Sequence, residues 1–548
     1  MPQGNPAPGY AYPQPYPHPH PTAAPQPPYG YPQGPPSGYA YPGQPQAYGY
    51  PGGPQQPYGQ HPTAPYPAPK AKGQRTVVYI VVAAVLAIAL IAGLGFWYAN
   101  SGGDGGKQDT AHSSGGTGGT GEKNGNGDTG GKEKAPADPA AKTLFKVPLP
   151  QPKDTVVTAG SWLTDSVYAK TGVGEITGYA PADGTREWTL KLPGPVCSAS
   201  RQLTDDGKTA IVFKPKMPAA DPVSPCSQVA AVDLTKGTRL WTKTVGQGDF
   251  PVTFDNVTVS GRTVAAGSTD GGAAFDIDSG KVLWQPKPSD GCYDAGYGGG
   301  AKLVAVRKCG SYDNPTLHIQ TIDPKSGKVI SEYKMADGID YASVVSSDPL
   351  VVAADVGDSA GDGSGISDYF SIDNKTGKLL TRISAPGDTY GGKCDSITKA
   401  EECRGVVVGN GRLYLATEEH DGSGGKYGKT NEIVAFDLTT GKQTGQRAPA
   451  GNGYTIYPLR MDGTNLIAYN HPPYDKGSQV LSIGGSSFKA VKLLENPSTE
   501  AVHQEELTMP PDYAELRFAG GRLFMSSAFA HKVTYGKEYL VLAFGTDG

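Results

Sequence analysis

The sequence predicts an all-β chain: a β-propeller of four-stranded blades behind a disordered tail and a single transmembrane helix. Three observations carry that expectation. A short phrase recurs through the last three-quarters of the chain. Uncharged apolar residues run unbroken from Val77 to Tyr98. The first 75 residues contain no Val, Ile, Leu, Asp or Glu.

Residues 1–75 are mostly Pro, Gly, Tyr, Gln and Ala, with Tyr-Pro pairs beginning at Tyr12, Tyr16, Tyr31, Tyr41, Tyr50 and Tyr66. No branched aliphatic side chain is available for a core, so a solvated tail of polyproline II character is expected. Such a tail also suits aromatic-lined grooves, or clustering with its own kind. The apolar run of the next segment, residues 76–98, holds twenty-two residues; at about 1.5 Å each they reach roughly 33 Å, enough to cross the hydrocarbon of a bilayer. Lys70, Lys72 and Arg75 flank its near side and Phe96, Trp97 and Tyr98 its far side. The positive-inside rule then sets the N-terminus in the cytoplasm and the C-terminal bulk outside the plasma membrane. The run is too long and starts too late for a cleaved signal peptide. Residues 99–142 are rich in Gly, Thr, Asp and Lys and read as a flexible linker with a mean reach of about 35 Å.

The repeated phrase fills residues 143–548. It reads apolar–Asp–x–x–Ser/Thr–Gly–Lys, with Trp four residues after Gly in the fullest copies. Asp233, Gly237 and Trp241 form one copy; Asp276, Gly280 and Trp284 another. Asp323 with Gly327, Asp373 with Gly377, and Asp437 with Gly441 follow, and a worn copy ends in Gly184 and Trp188. The turn glycines stand 43 (237 to 280) to 64 (377 to 441) residues apart, a repeat-architecture period. Each copy is a β-hairpin: Asp accepts from turn amides, Gly supplies a positive φ, and Trp buries its ring between sheets. Further strand-like runs lie ahead of each hairpin, such as 209–213, 302–306, 350–353 and 412–416. Four strands per repeat is the content of one propeller blade. Two more units are legible around 457–485 and 515–545. The last lacks an outer strand, which Leu144–Leu149 supplies, closing the ring and removing two sheet edges. The count is eight blades, with seven as the alternative.

The phrase resembles the repeat of PQQ-like β-propellers, a family that includes quinoprotein dehydrogenases and non-enzymatic scaffold proteins of bacterial envelopes. The whole layout is similar to that of membrane-anchored cell-surface proteins of high-GC Gram-positive bacteria. The resemblance implies that alcohol-dehydrogenase members hold their quinone beneath a disulfide of adjacent cysteines and above a Trp, beside a calcium ion bound by carboxylates. This chain has no adjacent cysteines, and of its four tryptophans beyond residue 98 only Trp162 lies outside the repeat position. No quinone and no other cofactor is expected.

The net charge of −4 divides into +3 before residue 99 and −7 beyond it, from 45 Lys and Arg against 52 Asp and Glu. An acidic exterior domain is not a nucleic-acid binder. All six cysteines lie past the apolar run, and an even number on the oxidising side implies three disulfides. Of the fifteen pairings possible, nearest neighbours in sequence are expected, each stapling one blade or its adjoining loop: Cys197 with Cys226, Cys292 with Cys309, Cys394 with Cys403. No spacing of Cys and His suggests zinc. Gly357–Gly361 matches G-x-S-x-G but has no helix-forming sequence after it. The loop 358–368 has Asp358, Asp362 and Gly363 at calcium-loop spacing, with Ala360 and Tyr369 where two more ligands belong. His318, His420, His471, His503 and His531 are scattered and read as surface or packing residues. No catalytic or metal-binding residue is assigned. The expected function is that of a non-enzymatic binding or scaffold module for a protein or cell-envelope partner, acting through the long loops 215–228 and 387–430. The alternative is a quinoprotein-like or glycan-active enzyme with a central-channel site.

Overall fold

Eight four-stranded antiparallel sheets form the computed structural model of this chain. The described residues run from 133 to 546, without 219–222, 248–249, 288–290, 312–313, 358, 361–364, 395–398 and 423–427. The chain divides into two units, Met1–Ser114 and Gly115–Gly548, and every described residue lies in the second. The expected tail, the span Val77–Tyr98 and most of the linker are outside the described residues. Among the described residues no helix is long and apolar enough to cross a membrane.

Seven sheets take their strands in chain order: blade 1 within 161–191, blade 2 within 196–243, blade 3 within 256–284, blade 4 within 292–334, blade 5 within 342–384, blade 6 within 406–449 and blade 7 within 455–495. First strands of neighbouring blades touch around the ring and line its axis. Blade 8 consists of Ala514–Ala519, Arg522–Ser527, Tyr539–Thr546 and, outermost, Ala141–Pro148. The N-terminal strand pairs with the last strand from Ala141↔Thr546 to Pro148↔Tyr539. The eight-blade count therefore holds, and closure comes from the segment that had no blade of its own. The ring leaves no unsealed join between first and last blade, which makes it a self-contained folding unit.

The repeat phrase has a mechanical role. In the turn of blade 3, Gly280 N–H donates to Asp276 O (2.8 Å) and Asp276 N–H to Lys281 O (2.9 Å). The Asp276 carboxylate accepts from Ser279 N (2.8 Å) and Oγ (2.6 Å). Blades 4, 5 and 6 repeat this through Asp323, Asp373 and Asp437. Asp233, in blade 2, is buried and takes Thr235 and Lys236 instead. The repeat Trp leaves its own blade and lies over the turn glycine of the next. A Cβ on Gly237 would meet the Trp188 ring at 2.3 Å, one on Gly280 the Trp241 ring at 2.8 Å, and one on Gly327 the Trp284 ring at 3.1 Å. Those glycines are thus needed for the close approach as well as for their positive φ. Trp241 Nε1 donates to Ile277 O (2.8 Å). At the closure, Phe145 covers Gly184 in the same way.

Blade 7 contains a copy of the turn that the phrase does not reveal. Gly484 stands in the Asp position and Phe488 in the Gly position, with Phe488 N–H donating to Gly484 O (2.8 Å). Phe488 has φ 54°, one of two non-glycine residues there among the described residues. The preceding blade has Gly445 four residues after Gly441, where blades 1 to 3 have Trp and blades 4 and 5 have Ser331 and Thr381. With no ring arriving from blade 6, Phe488 fills the space itself and stacks on Tyr414, with centroids 6.0 Å apart.

Candidate functional site

Antiparallel strand order sends the loops between second and third strands, and those between blades, out of one end of the ring. The Asp–Gly turns and the first hairpins leave from the other. We call these the loop end and the turn end. Every long insertion is at the loop end: 214–227, 244–255, 355–367, 385–405, 417–431, 496–513 and 528–538. The expected loop 215–228 lies on this face, whereas the expected single loop 387–430 is two loops, 385–405 and 417–431, divided by the blade 6 strands Val406–Gly409 and Arg412–Ala416; both of its parts open on the same face. The only α-helix among the described residues, Glu500–Glu506, is there too.

The three disulfides join Cys197 to Cys226, Cys292 to Cys309 and Cys394 to Cys403. The first ties an inner strand to the loop 214–227. The second crosses the first two strands of blade 4, where Cys292 and Cys309 are direct partners. The third clamps a hairpin that reaches into the central channel. Its tip holds across the ring. Glu401 Oε2 accepts from Thr258 Oγ1 of blade 3 (2.9 Å) and from Gly299 N of blade 4 (2.9 Å). Ala400 O accepts from Val344 N of blade 5 (2.6 Å). Arg201, just past the inner strand of blade 2, donates to Glu401 O (3.3 Å) and Cys403 O (2.9 Å). Arg404 donates to Asp512 O, ahead of blade 8. Burial pushes the Glu401 carboxyl up to about 7, against the hydrogen bonds from Gly299 and Thr258 and the charge of Arg201. Beside it a cavity of about 70 Å³ remains, lined by Arg201, Gln202, Glu401, Ser347 and Met461 among others.

A quinone does not fit this channel. Sites for small molecules are commonly about 300–1,000 Å³, and the hairpin leaves far less. Trp162 offers no floor: it is fully buried between blades 1 and 2, donating to Ser200 O (2.8 Å). Among the described residues no cluster of three or more His, Cys, Asp or Glu is arranged to hold a metal. In the loop 358–368, Asp368 proves to be a strand residue paired with Arg382 (2.7 Å); Asp358 and Asp362 lie outside the described residues. Ser359 Oγ donates to Val356 O (2.7 Å).

The histidines are less scattered than the sequence suggests. His318 pairs with Glu332 (3.1 Å) in blade 4, and His531 with Glu538 (3.2 Å); His420 is exposed, 3.8 Å from Glu432. His471 and His503 come close at the loop end, near Asp512, and burial lowers the His471 pKa. A recess of about 400 Å³ opens beside His471, between Lys429, Glu419 and Tyr474.

Apolar exposure is sorted by face. The exposed large aromatics, Phe250, Tyr341, Tyr474, Tyr513, Phe529 and Tyr535, all stand in loop-end insertions, with Phe250 87% and Tyr535 88% exposed. The exposed Val, Ile and Leu residues divide between these loops and the outer strands.

Residues 142–291 match the family model PQQ_2, described as outer membrane protein assembly factor BamB. The repeat of residues 142–291 is thus PQQ-like, and the ring that contains it is an eight-bladed β-propeller. No curated protein matches. Among solved structures, BamB from Moraxella catarrhalis is similar at 12% identity, covering 74% of this chain and 100% of its own, with a TM-score of 0.40. The quinohemoprotein alcohol dehydrogenase ADHIIG from Pseudomonas putida HK5 is 12% identical, with 74% and 76% covered and a TM-score of 0.39. The dihydro-heme d1 dehydrogenase NirN in complex with DHE is 11% identical, with 62% and 66% covered and a TM-score of 0.39. At these values the likenesses carry nothing about ligand or activity.

Proposed function

We propose that this protein is a membrane-anchored scaffold whose propeller, outside the plasma membrane, binds a protein partner through its loop end. The observation that carries the reading is the gathering of every exposed large aromatic among the described residues onto that one face. Tyr and Phe give large contact areas at low entropy cost and are enriched at protein interfaces. The channel hairpin supports the same reading, because it fills the central channel in which the alternative enzyme reading sets its site. The family match, to a factor described by its part in outer membrane protein assembly, is compatible with a role in holding other proteins. The uncharged run Val77–Tyr98 and the flanking Lys70, Lys72 and Arg75 support the anchor and its orientation.

The test is partner capture in intact cells by the full chain, wild type against Tyr474→Ala/Tyr513→Ala/Tyr535→Ala. Loss of the same crosslinked proteins in the variant, with unchanged thermal unfolding, is expected. Capture unaffected by the three substitutions overturns the assignment of the face.

A further inference from the structure

The turn end carries a second kind of surface, and we propose that over blades 3 to 5 it docks on an anionic lipid bilayer. In blades 3 to 5 the repeat phrase puts a lysine directly after the turn glycine: Lys281, Lys328 and Lys378. All three are exposed and make no ion pair among the described residues. Each is followed by exposed apolar residues at the start of the outer strand: Val282, then Val329 and Ile330, then Leu379 and Leu380. Lys325 and Lys375 add exposed charge within the turns of blades 4 and 5.

Lys325 and Lys375 share their charge with Asp323 and Asp373 of their own turns, but the carboxylates of these turns compete little for Lys281, Lys328 and Lys378. Asp276, Asp323 and Asp373 face their own turn amides and hydroxyls. Asp278 is held by Lys208 and Arg262. A domain that is acidic as a whole thus presents lysines alternating with aliphatic side chains along one edge. Lysine stems lie along apolar surface while the ammonium reaches a phosphate, and shallow apolar insertion adds to the attraction of an anionic headgroup layer.

The path of the chain points to the same occupant. Glu133, where the described residues begin, is fixed at the turn end. Its N–H donates to Asp462 Oδ2 (2.6 Å), its carboxylate lies 2.6 Å from Arg460 Nη2, and it accepts from Gly520 N. The first described residue thus stands at this end, with the sequence expected to span a membrane, Val77–Tyr98, ahead of it in the chain. Thirty-four residues, 99–132, separate the apolar run from Glu133 in the sequence; an unstructured chain of that length would span on average about 30 Å, short enough to keep the ring near a membrane. The loop end, with its aromatics, is left free for a partner.

The closed ring 133–548 tests this without its membrane segment. It is sedimented with vesicles of phosphatidylglycerol and phosphatidylcholine, and with vesicles of phosphatidylcholine alone, at low and high salt. Binding to the mixed vesicles that weakens with salt is expected. Each lysine near an anionic surface contributes about five-fold, so Lys281→Gln/Lys328→Gln/Lys378→Gln lowers partition on the order of 100-fold. Leu379→Ser/Leu380→Ser lowers it as well. Tyr474→Ala/Tyr513→Ala/Tyr535→Ala leaves vesicle binding intact even if it abolishes partner capture, so the two faces are judged separately. Absence of vesicle binding, equal binding to both lipids, or retention by the lysine variant overturns the proposal. So does a lipid-free dimer that Leu379→Ser/Leu380→Ser dissolves, which assigns the edge to a second copy of the chain.

Discussion

Glu401→Gln should change how stability depends on pH, and the size of the change follows from the burial of one carboxyl. Glu401 sits at the tip of the channel hairpin, with Arg201 and Glu402 as the charged groups acting on it. Its pKa is about 7 in the folded chain against 4.5 when unperturbed. The folded state therefore holds this proton more tightly than the unfolded state. The stability it contributes is fully present below about 4.5, declines as pH rises, and is gone above about 7. At about 1.4 kcal/mol per pKa unit the loss is on the order of 3 kcal/mol. Gln has no proton to release, so the variant is spared that decline. Denaturant unfolding of the ring with disulfides intact, from pH 4.5 to 8, should show the variant gaining about 3 kcal/mol on the wild type. A stability difference that stays constant across this range refutes the buried position of the carboxyl and the plugging of the channel.

Three further outcomes follow. Phe488→Gly opens a hole beside Tyr414 and should cost about 3 kcal/mol, reduced slightly by relief of the positive φ; adding Gly445→Trp should recover part of it in denaturant unfolding, and no recovery contradicts the exchange of ring between the two positions. Arg460→Ala leaves Glu133 buried without its partner and should cost about 3–5 kcal/mol; adding Glu133→Ala should return some of that loss. Trp241→Ala should cost about 3 kcal/mol and cut cooperativity between blades 2 and 3, measured by hydrogen exchange across their strands.

The sequence made the ring legible because its information is local. Asp276, Gly280 and Trp284 lie within nine residues, and the same unit recurs. Even the closing strand was visible, since residues 144–149 are strand-like and no other blade claims them. Phe488 is hidden because it breaks the phrase at its most diagnostic position; its one signal is Gly445, a position without a side chain one blade earlier. The helix Glu500–Glu506 was announced only by Thr499, whose hydroxyl caps it at Val502 N. The channel hairpin has no local signature at all. Glu401 meets Thr258 and Gly299 from 143 and 102 residues away, and a Glu-Glu-Cys run reads as a surface loop until the ring closes round it. The face-sorting of exposed aromatics was equally hidden, because Phe250, Tyr341 and Tyr535 become neighbours of one surface only through blade topology.

Site-specific photocrosslinking in intact cells tests the central claim most directly. A photoreactive residue replaces Tyr513 at the loop end in one strain and Thr439, in the blade 6 turn, in another. The account predicts discrete protein adducts from position 513 and none from position 439. Adducts from 439 with none from 513 would contradict it.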